Sequence, residues 1–120
     1  MTTAYALTGV QQRLAEHYLD ILRRASTAVH RGRGNRAYWY TRIEQDWLQI
    51  QRWQTWSSLA ADSDSVQARV CLDFSIAGLE ILRVRQSPPE RITWLKQALL
   101  VAQQINDSAA ERTLLHELGH

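Results

Sequence analysis

Three residues near the end of the sequence have the types and the spacing of a zinc site. His116, Glu117 and His120 form an H-E-x-x-H pattern, in which two histidines four residues apart share one face of a helix. Both imidazoles then reach one zinc ion, and the glutamate activates the water that the zinc binds. The pattern predicts, as one alternative, a zinc-dependent metallopeptidase-like protein with His116 and His120 as ligands and Glu117 as its catalytic residue.

The surrounding sequence disfavours this zinc chemistry. A catalytic zinc needs a third protein ligand, and only His17, His30 or a carboxylate such as Asp73 is offered upstream. His120 is also the last residue, so no following helical turn holds it as a ligand. We therefore expect no catalysis and no cofactor, and we keep zinc as the alternative.

No other combination of residues predicts catalysis. Asp62, Ser63 and Asp64 have the composition of a metal-binding loop, but Asp and Ser also cap helix N-termini, and we favour the cap. Cys71 is the single cysteine, which excludes an internal disulfide, and it is typical of a small core residue. The sequence contains no G-x-x-x-x-G-K-[ST] pattern for a nucleotide phosphate.

The charges are nearly balanced. The chain has 14 basic residues, all arginine except Lys96, against 12 acidic ones, which gives a net charge of +2. The acidic residues are interspersed with the arginines, and a charge run is usually a solvated helix face. Nucleic-acid binding is therefore a disfavoured third alternative, and it would use five arginines: Arg23, Arg24, Arg31, Arg33 and Arg36.

Length and composition indicate one folded domain over residues 1–120. With 120 residues and 45% hydrophobic residues, the chain can bury a core. The N-terminus lacks the basic start and apolar block of a secretory signal, and no apolar run is long enough for a membrane span. We expect a cytoplasmic protein without membrane contact.

Helical periodicity covers almost the whole chain. Apolar residues recur at three- and four-residue steps, and no segment shows the strict alternation of a strand. The spacing predicts five helices: one starting after Thr8, then 36–59, 65–86 with Gly78 inside it, 90–105, and a last one from Ala109 that is still in progress at Leu118. Helices joined by such short turns pack as antiparallel neighbours, so we expect an all-α antiparallel array.

The second predicted helix contains four of the five tryptophans. An aromatic stripe at helical spacing is usually a packing face, but so small a domain need not cover every ring. We therefore predict partner contacts at four positions on this helix, with core packing the more ordinary role for any single one: Trp39, Trp47, Arg52 and Trp53.

The stretch 94–119 resembles a tetratricopeptide repeat. W-L-K-Q-A-L-L-V-A, then I-N-D, then A-E-R-T-L-L-x-x-L-G is similar to the second helix, the turn and the next first helix of that family. Ala98 matches its small residue, Leu115 its large apolar residue, and Leu118 with Gly119 its Leu-Gly pair. Arg91 departs from the pattern, because the repeat usually has a small residue there.

The upstream part resembles a narrower group. It is similar to the helical segment that precedes such repeats in bacterial signal-transduction ATPases and transcriptional regulators, through these residues: Ala15 to Leu19, Trp39, Arg42 to Glu44, Ile50 and Trp56. The resemblance implies an N-terminal helical pair over residues 8–60 and repeat-like helices over 65–120. It also implies a non-catalytic protein-interaction module of a bacterial signalling or regulatory protein. Its partner would be another protein or the rest of a larger parent, and an exposed final apolar face would also allow a homodimer.

Overall fold

The computed structural model describes residues 2–31, 35–59 and 64–119. All regular structure in these ranges is α-helical, which confirms the all-α prediction. The described part of the chain contains six helices: α1 (Thr2–Arg31), α2 (Arg36–Leu59), α3 (Ser65–Ala77), α4 (Leu79–Arg85), α5 (Pro88–Gln104) and α6 (Ser108–Glu117).

Capping residues set three of the helix starts, as their types predict. Asp64, Ser87 and Asp107 are the N-caps of α3, α5 and α6, and the side chain of each accepts hydrogen bonds from first-turn amides. Pro88 and Pro89 occupy the first turn of α5, where a missing N–H leaves no intrahelical bond unmade. The helix-cap interpretation is therefore confirmed for Asp64, whereas Asp62 and Ser63 lie outside the described residues.

The predicted start of the first helix and the predicted continuity of the third helix are both wrong. The first helix begins at Thr2 rather than after Thr8. The third predicted helix is interrupted at Gly78, which is the C-cap of α3, so there are six described helices instead of five. At this break the Ser26 hydroxyl of α1 donates a hydrogen bond to the carbonyl of Ala77, so the packing of α1 supplies a polar partner for that carbonyl.

The helices form an ordered array of neighbours. Helices α1 and α3 run parallel, because Arg23 pairs with Asp73 and, further along both helices, Ser26 hydrogen-bonds to Ala77. The α3–α4 segment likewise runs parallel to α6, and α2 runs parallel to α5, where Trp47 stacks on Trp94 and Gln54 hydrogen-bonds to Gln97. Short turns reverse the chain between these two sets, which gives the antiparallel array that the periodicity predicts.

Two hydrophobic clusters fill this array. The first lies mainly between α1, α2 and α3, with Trp94 added from α5, and its large side chains include Phe74, Ile50 and three buried tryptophans. The second, between α3, α5 and α6, uses aliphatic and small residues, with Ala98 and Ala102 allowing close approach. Cys71 is buried in the second cluster, and burial raises the pKa of its thiol, which confirms it as a core residue.

Candidate functional site

Glu117 is held by two arginines. Arg83 of α4 approaches both of its carboxylate oxygens at 2.7 Å, and Arg91 of α5 approaches Oε2 at 2.6 Å. The side chain of Glu117 is only 11% exposed. The hydrogen bond from Arg83 is the main reason why the pKa of Glu117 lies below its ordinary value, and Arg91 adds to the effect. The carboxylate that the zinc motif would use as a base joins three helices in this structure.

The helical geometry of the zinc motif is incomplete. The last helix is not still in progress at Leu118: α6 ends at Glu117, Leu118 is its C-cap, and Gly119 has a φ of 88°, outside the helical region. A pair at positions i and i+4 shares a face only if the helix continues between them. His116 is exposed, and His120 lies outside the described residues, so the zinc site stays a prediction.

The upstream candidates for a third zinc ligand do not converge on α6. His17 and His30 lie on α1, and Asp73 is occupied by Arg23 at 3.2 Å and by Arg69 at 3.5 Å. Within residues 2–31, 35–59 and 64–119, no group of three His, Cys, Asp or Glu side chains could hold a metal ion.

The tryptophans predicted as partner contacts have different positions. Trp47 and Trp53 are buried in the first core cluster, and Trp47 stacks on Trp94 with ring centroids 6.1 Å apart. Both tryptophans therefore pack in the core. Trp39 is half-buried at the edge of that cluster, and Arg52 is exposed on α2. Of the four predicted contacts, Trp39 and Arg52 have surface to offer a partner.

Three leucines on α2 and α5 are exposed at the surface. Leu48 and Leu59 of α2 are 80% and 76% exposed, and Leu100 of α5 is 61% exposed. Leu59 and Leu100 lie together at a surface pocket of about 240 Å³, and Arg52 lies on the same α2 stripe between the two α2 leucines. We call Leu48, Arg52, Leu59 and Leu100 the outer face. These leucines were not among the predicted contacts, because residue type alone does not distinguish an exposed leucine from a buried one.

A chain of charges runs along the opposite side of the array. Arg69 donates to Asp107 at 2.8 Å and also lies 3.5 Å from Asp73, which is paired with Arg23. The pKa of Asp107 is below its ordinary value because its carboxylate accepts from the Ala110 amide and from Arg69. These pairs connect α1 and α3 to the start of α6, and they give the carboxylates of Asp73 and Asp107 charged partners.

The end of the array where α1 meets α2 has a different charge pattern. Between Asp20 and Glu44 the sequence contains six of the 14 basic residues and none of the 12 acidic ones. In this segment the acidic residues are therefore not interspersed with the arginines, and the prediction of mixed charge is wrong here. Here a surface pocket of about 450 Å³ is lined by three arginines and an aromatic ring: Arg23, Arg24, Arg31 and Trp39. Counting charges by segment instead of over the whole chain would have found it.

Comparisons with other proteins identify no relative. No family model, no curated protein sequence and no solved structure matches the chain. The helices of the described residues include none with both the length and the apolar character needed to cross a membrane.

Proposed function

We propose that this chain is a non-catalytic protein-interaction module of a bacterial signalling or regulatory protein, acting in the cytoplasm and binding its partner through the outer face. The observation that carries the proposal is the exposure of Leu48, Leu59 and Leu100 on two adjacent helices. Leu59 and Leu100 lie at one surface pocket, and Leu48 lies further along the same stripe of α2 beyond the exposed Arg52. Exposed apolar side chains grouped among polar residues on a folded surface are typical of sites that another protein covers.

The position of these leucines distinguishes them from ordinary surface residues. Leu48 and Leu59 are eleven positions apart, so they lie on one stripe of α2 about 16 Å long. Leu100 extends this stripe sideways onto α5 through the pocket that it shares with Leu59. A partner helix or strand laid across this surface would cover all three side chains and would place Arg52 beside its polar groups.

The arrangement of the helices supports the same proposal. In the array, α1, α3–α4 and α6 run in one direction, and α2 and α5 run in the other, as expected for stacked helix pairs. Such arrays present extended faces that contact other proteins. This order is also consistent with the tetratricopeptide-like character that the segment 94–119 implies.

The proposal is tested by photo-crosslinking in cells that naturally make the protein. We place a benzophenone side chain at position 59 and, as a matched control, at position 14 of α1, which is also an exposed leucine. We expect discrete protein adducts from position 59 only, and we expect Leu100→Asp to abolish them because a carboxylate in an apolar contact must be desolvated. Equal adducts from both positions, or none from position 59, would contradict the proposal.

Serine substitutions at two leucines of the outer face decide whether the partner is a second copy. We propose a homodimer as a secondary form of this interaction, in which the outer faces of two chains cover each other. Light scattering should then give a dimer for the wild-type chain and a monomer for Leu59→Ser with Leu100→Ser. A wild-type monomer at high concentration would remove the homodimer and leave the interaction with another protein to the crosslinking result.

A further inference from the structure

The pocket between the C-terminal half of α1 and the start of α2 combines positive charge with an aromatic ring. Arg24, Ala28 and Arg31 follow one another at helical spacing on α1, and Arg23 and Thr27 lie beside them. Trp39, in the first turns of α2, forms the facing wall. The volume of about 450 Å³ is in the range of small-molecule sites.

The charge of this pocket is incompletely compensated. Arg23 reaches Asp73 at 3.2 Å and Arg24 reaches Asp20 at 2.9 Å, and all four side chains are partly exposed. Exposed ion pairs of this kind are weak and leave most guanidinium donors accessible to an anion. None of the described residues that line the pocket is acidic. An anion that enters it therefore meets three guanidinium groups, two of which it shares with the carboxylates of Asp73 and Asp20.

Trp39 adds a second element of recognition. Its ring is half-buried at the edge of the first core cluster and packs edge-on against Tyr38, with ring centroids 5.1 Å apart. This packing restricts the ring while leaving part of it on the pocket wall. A half-buried indole is a platform on which a planar ring stacks, and the small side chains of Thr27 and Ala28 also line this pocket.

We propose that this pocket binds a nucleoside phosphate, with the base on Trp39 and the phosphate at Arg31, Arg24 and Arg23. Arginine is suited to phosphate because its planar fork donates two parallel hydrogen bonds. An acidic peptide would satisfy the arginines but not the aromatic wall, so the combination favours a base next to a phosphate. The nucleoside phosphate is either a free nucleotide or a unit of a single-stranded nucleic acid.

The test uses the full chain and two kinds of probe. Fluorescence anisotropy measures binding of a labelled oligodeoxyadenylate of about 12 nucleotides, and calorimetry measures binding of AMP and ATP. For three phosphate contacts on a single strand, the logarithmic salt dependence of the binding constant should have a slope of about −2 between about 50 and 200 mM salt. Binding of the oligonucleotide alone identifies a strand as the ligand, and comparable binding of the nucleotides identifies the free form.

Two pairs of variants locate the site. Arg31→Gln should weaken binding about tenfold and reduce the salt slope by about 0.7, because one charged contact is lost. Its control, Arg112→Gln, removes an exposed arginine from α6 and should leave binding unchanged. Trp39→Phe keeps a stacking ring and should retain most of the affinity, whereas Trp39→Leu should lose about tenfold.

Three results would overturn the proposal. The first is no binding of any probe. The second is an equal loss in Arg31→Gln and Arg112→Gln, which would mean attraction by the net charge only. The third is equal binding of polyglutamate with no dependence on Trp39, which would make an acidic protein the ligand. Thermal melting checks that each variant folds, and if Trp39→Leu does not, Trp39→Phe and the arginine pair still decide.

Discussion

Two sets of arginines in this protein have opposite surroundings. Arg83 and Arg91 converge on the nearly buried carboxylate of Glu117, whereas Arg23, Arg24 and Arg31 line a pocket whose described wall has no carboxylate. In the first set the positive charge is satisfied within the fold and connects α4 and α5 to α6. In the second set Arg23 and Arg24 form partly exposed ion pairs with Asp73 and Asp20, and these pairs leave guanidinium donors at the surface. The same residue type therefore joins helices at one end of the array, and at the other end it lines the pocket for which we propose a ligand.

The largest change in stability is expected from a substitution at Glu117. Glu117→Gln should lower the free energy of unfolding by about 1–2 kcal/mol, because two guanidinium groups lose a charged acceptor. For a domain of this size, this corresponds to a Tm roughly 4–8 °C lower. Urea unfolding monitored by circular dichroism measures the change directly.

Glu44→Gln is the matched control for that variant. Glu44 also pairs with an arginine, since its Oε1 lies 2.9 Å from Arg85 Nε, but its side chain is 62% exposed and the contact does not have hydrogen-bond geometry. An exposed pair should contribute at most about 0.5 kcal/mol. If both glutamine variants lose the same stability, the ion pairs of Glu117 contribute no more to the free energy of unfolding than an exposed surface pair.

A smaller effect concerns acid. The pKa of Glu117 is lower in the folded chain than its ordinary value of 4.5, so its ion pairs stabilise the fold above that value. This contribution is lost as the pH falls through the lower, folded pKa, because the carboxylate is then protonated. Asp107, whose pKa is also lowered, acts in the same direction.

Unfolding free energies at several pH values test this dependence. Between about pH 5 and about pH 3 the wild-type chain should lose more stability than Glu117→Gln, which has no carboxyl at this position to titrate. Parallel acid curves for the two chains would show that Glu117 has the same pKa folded and unfolded. The ion pairs of Glu117 with Arg83 and Arg91 would then contribute nothing to the free energy of unfolding.

The smallest effect is expected at the neighbouring histidine. Because Glu117 is engaged by Arg83 and Arg91, zinc chemistry at the H-E-x-x-H pattern would require breaking these contacts. We expect no stoichiometric zinc after purification without immobilised metal, and we expect His116→Ala to change stability by less than about 0.5 kcal/mol, since His116 is exposed. One zinc per chain, lost in His116→Ala, would return Glu117 to a catalytic role.

The elements of the fold were largely predictable, and their junctions were less so. Periodicity and caps gave α2, α5 and the starts of α3 and α6, because these signals lie in adjacent residues. The break at Gly78 was not predicted, since a single glycine is tolerated within helices and the Ser26 hydroxyl that bonds at the break comes from α1. Contacts between distant segments leave no local pattern.

The candidate sites show the same limit. The types of residue at Trp47 and Trp53 were compatible with surface or core, and their burial depends on α1, α3 and α5 covering that side of α2. The charge pattern around the basic pocket, by contrast, was present in the sequence as a stretch without acidic residues between Asp20 and Glu44. The sequence of that stretch did not show that Trp39 lies near the arginines, because this requires the chain to reverse between α1 and α2.

By itself, the sequence determined the helical class, most helix boundaries and the segregation of charge. These follow from side-chain periodicity, capping hydrogen bonds and composition, which act over a few residues. Only the tertiary structure decided that Glu117 pairs with Arg83 and Arg91 and that the leucines of the outer face remain exposed. The helices packed against a side chain decide whether it forms an ion pair between helices, lies in the core or stays exposed. That packing brings together residues that are far apart in the chain.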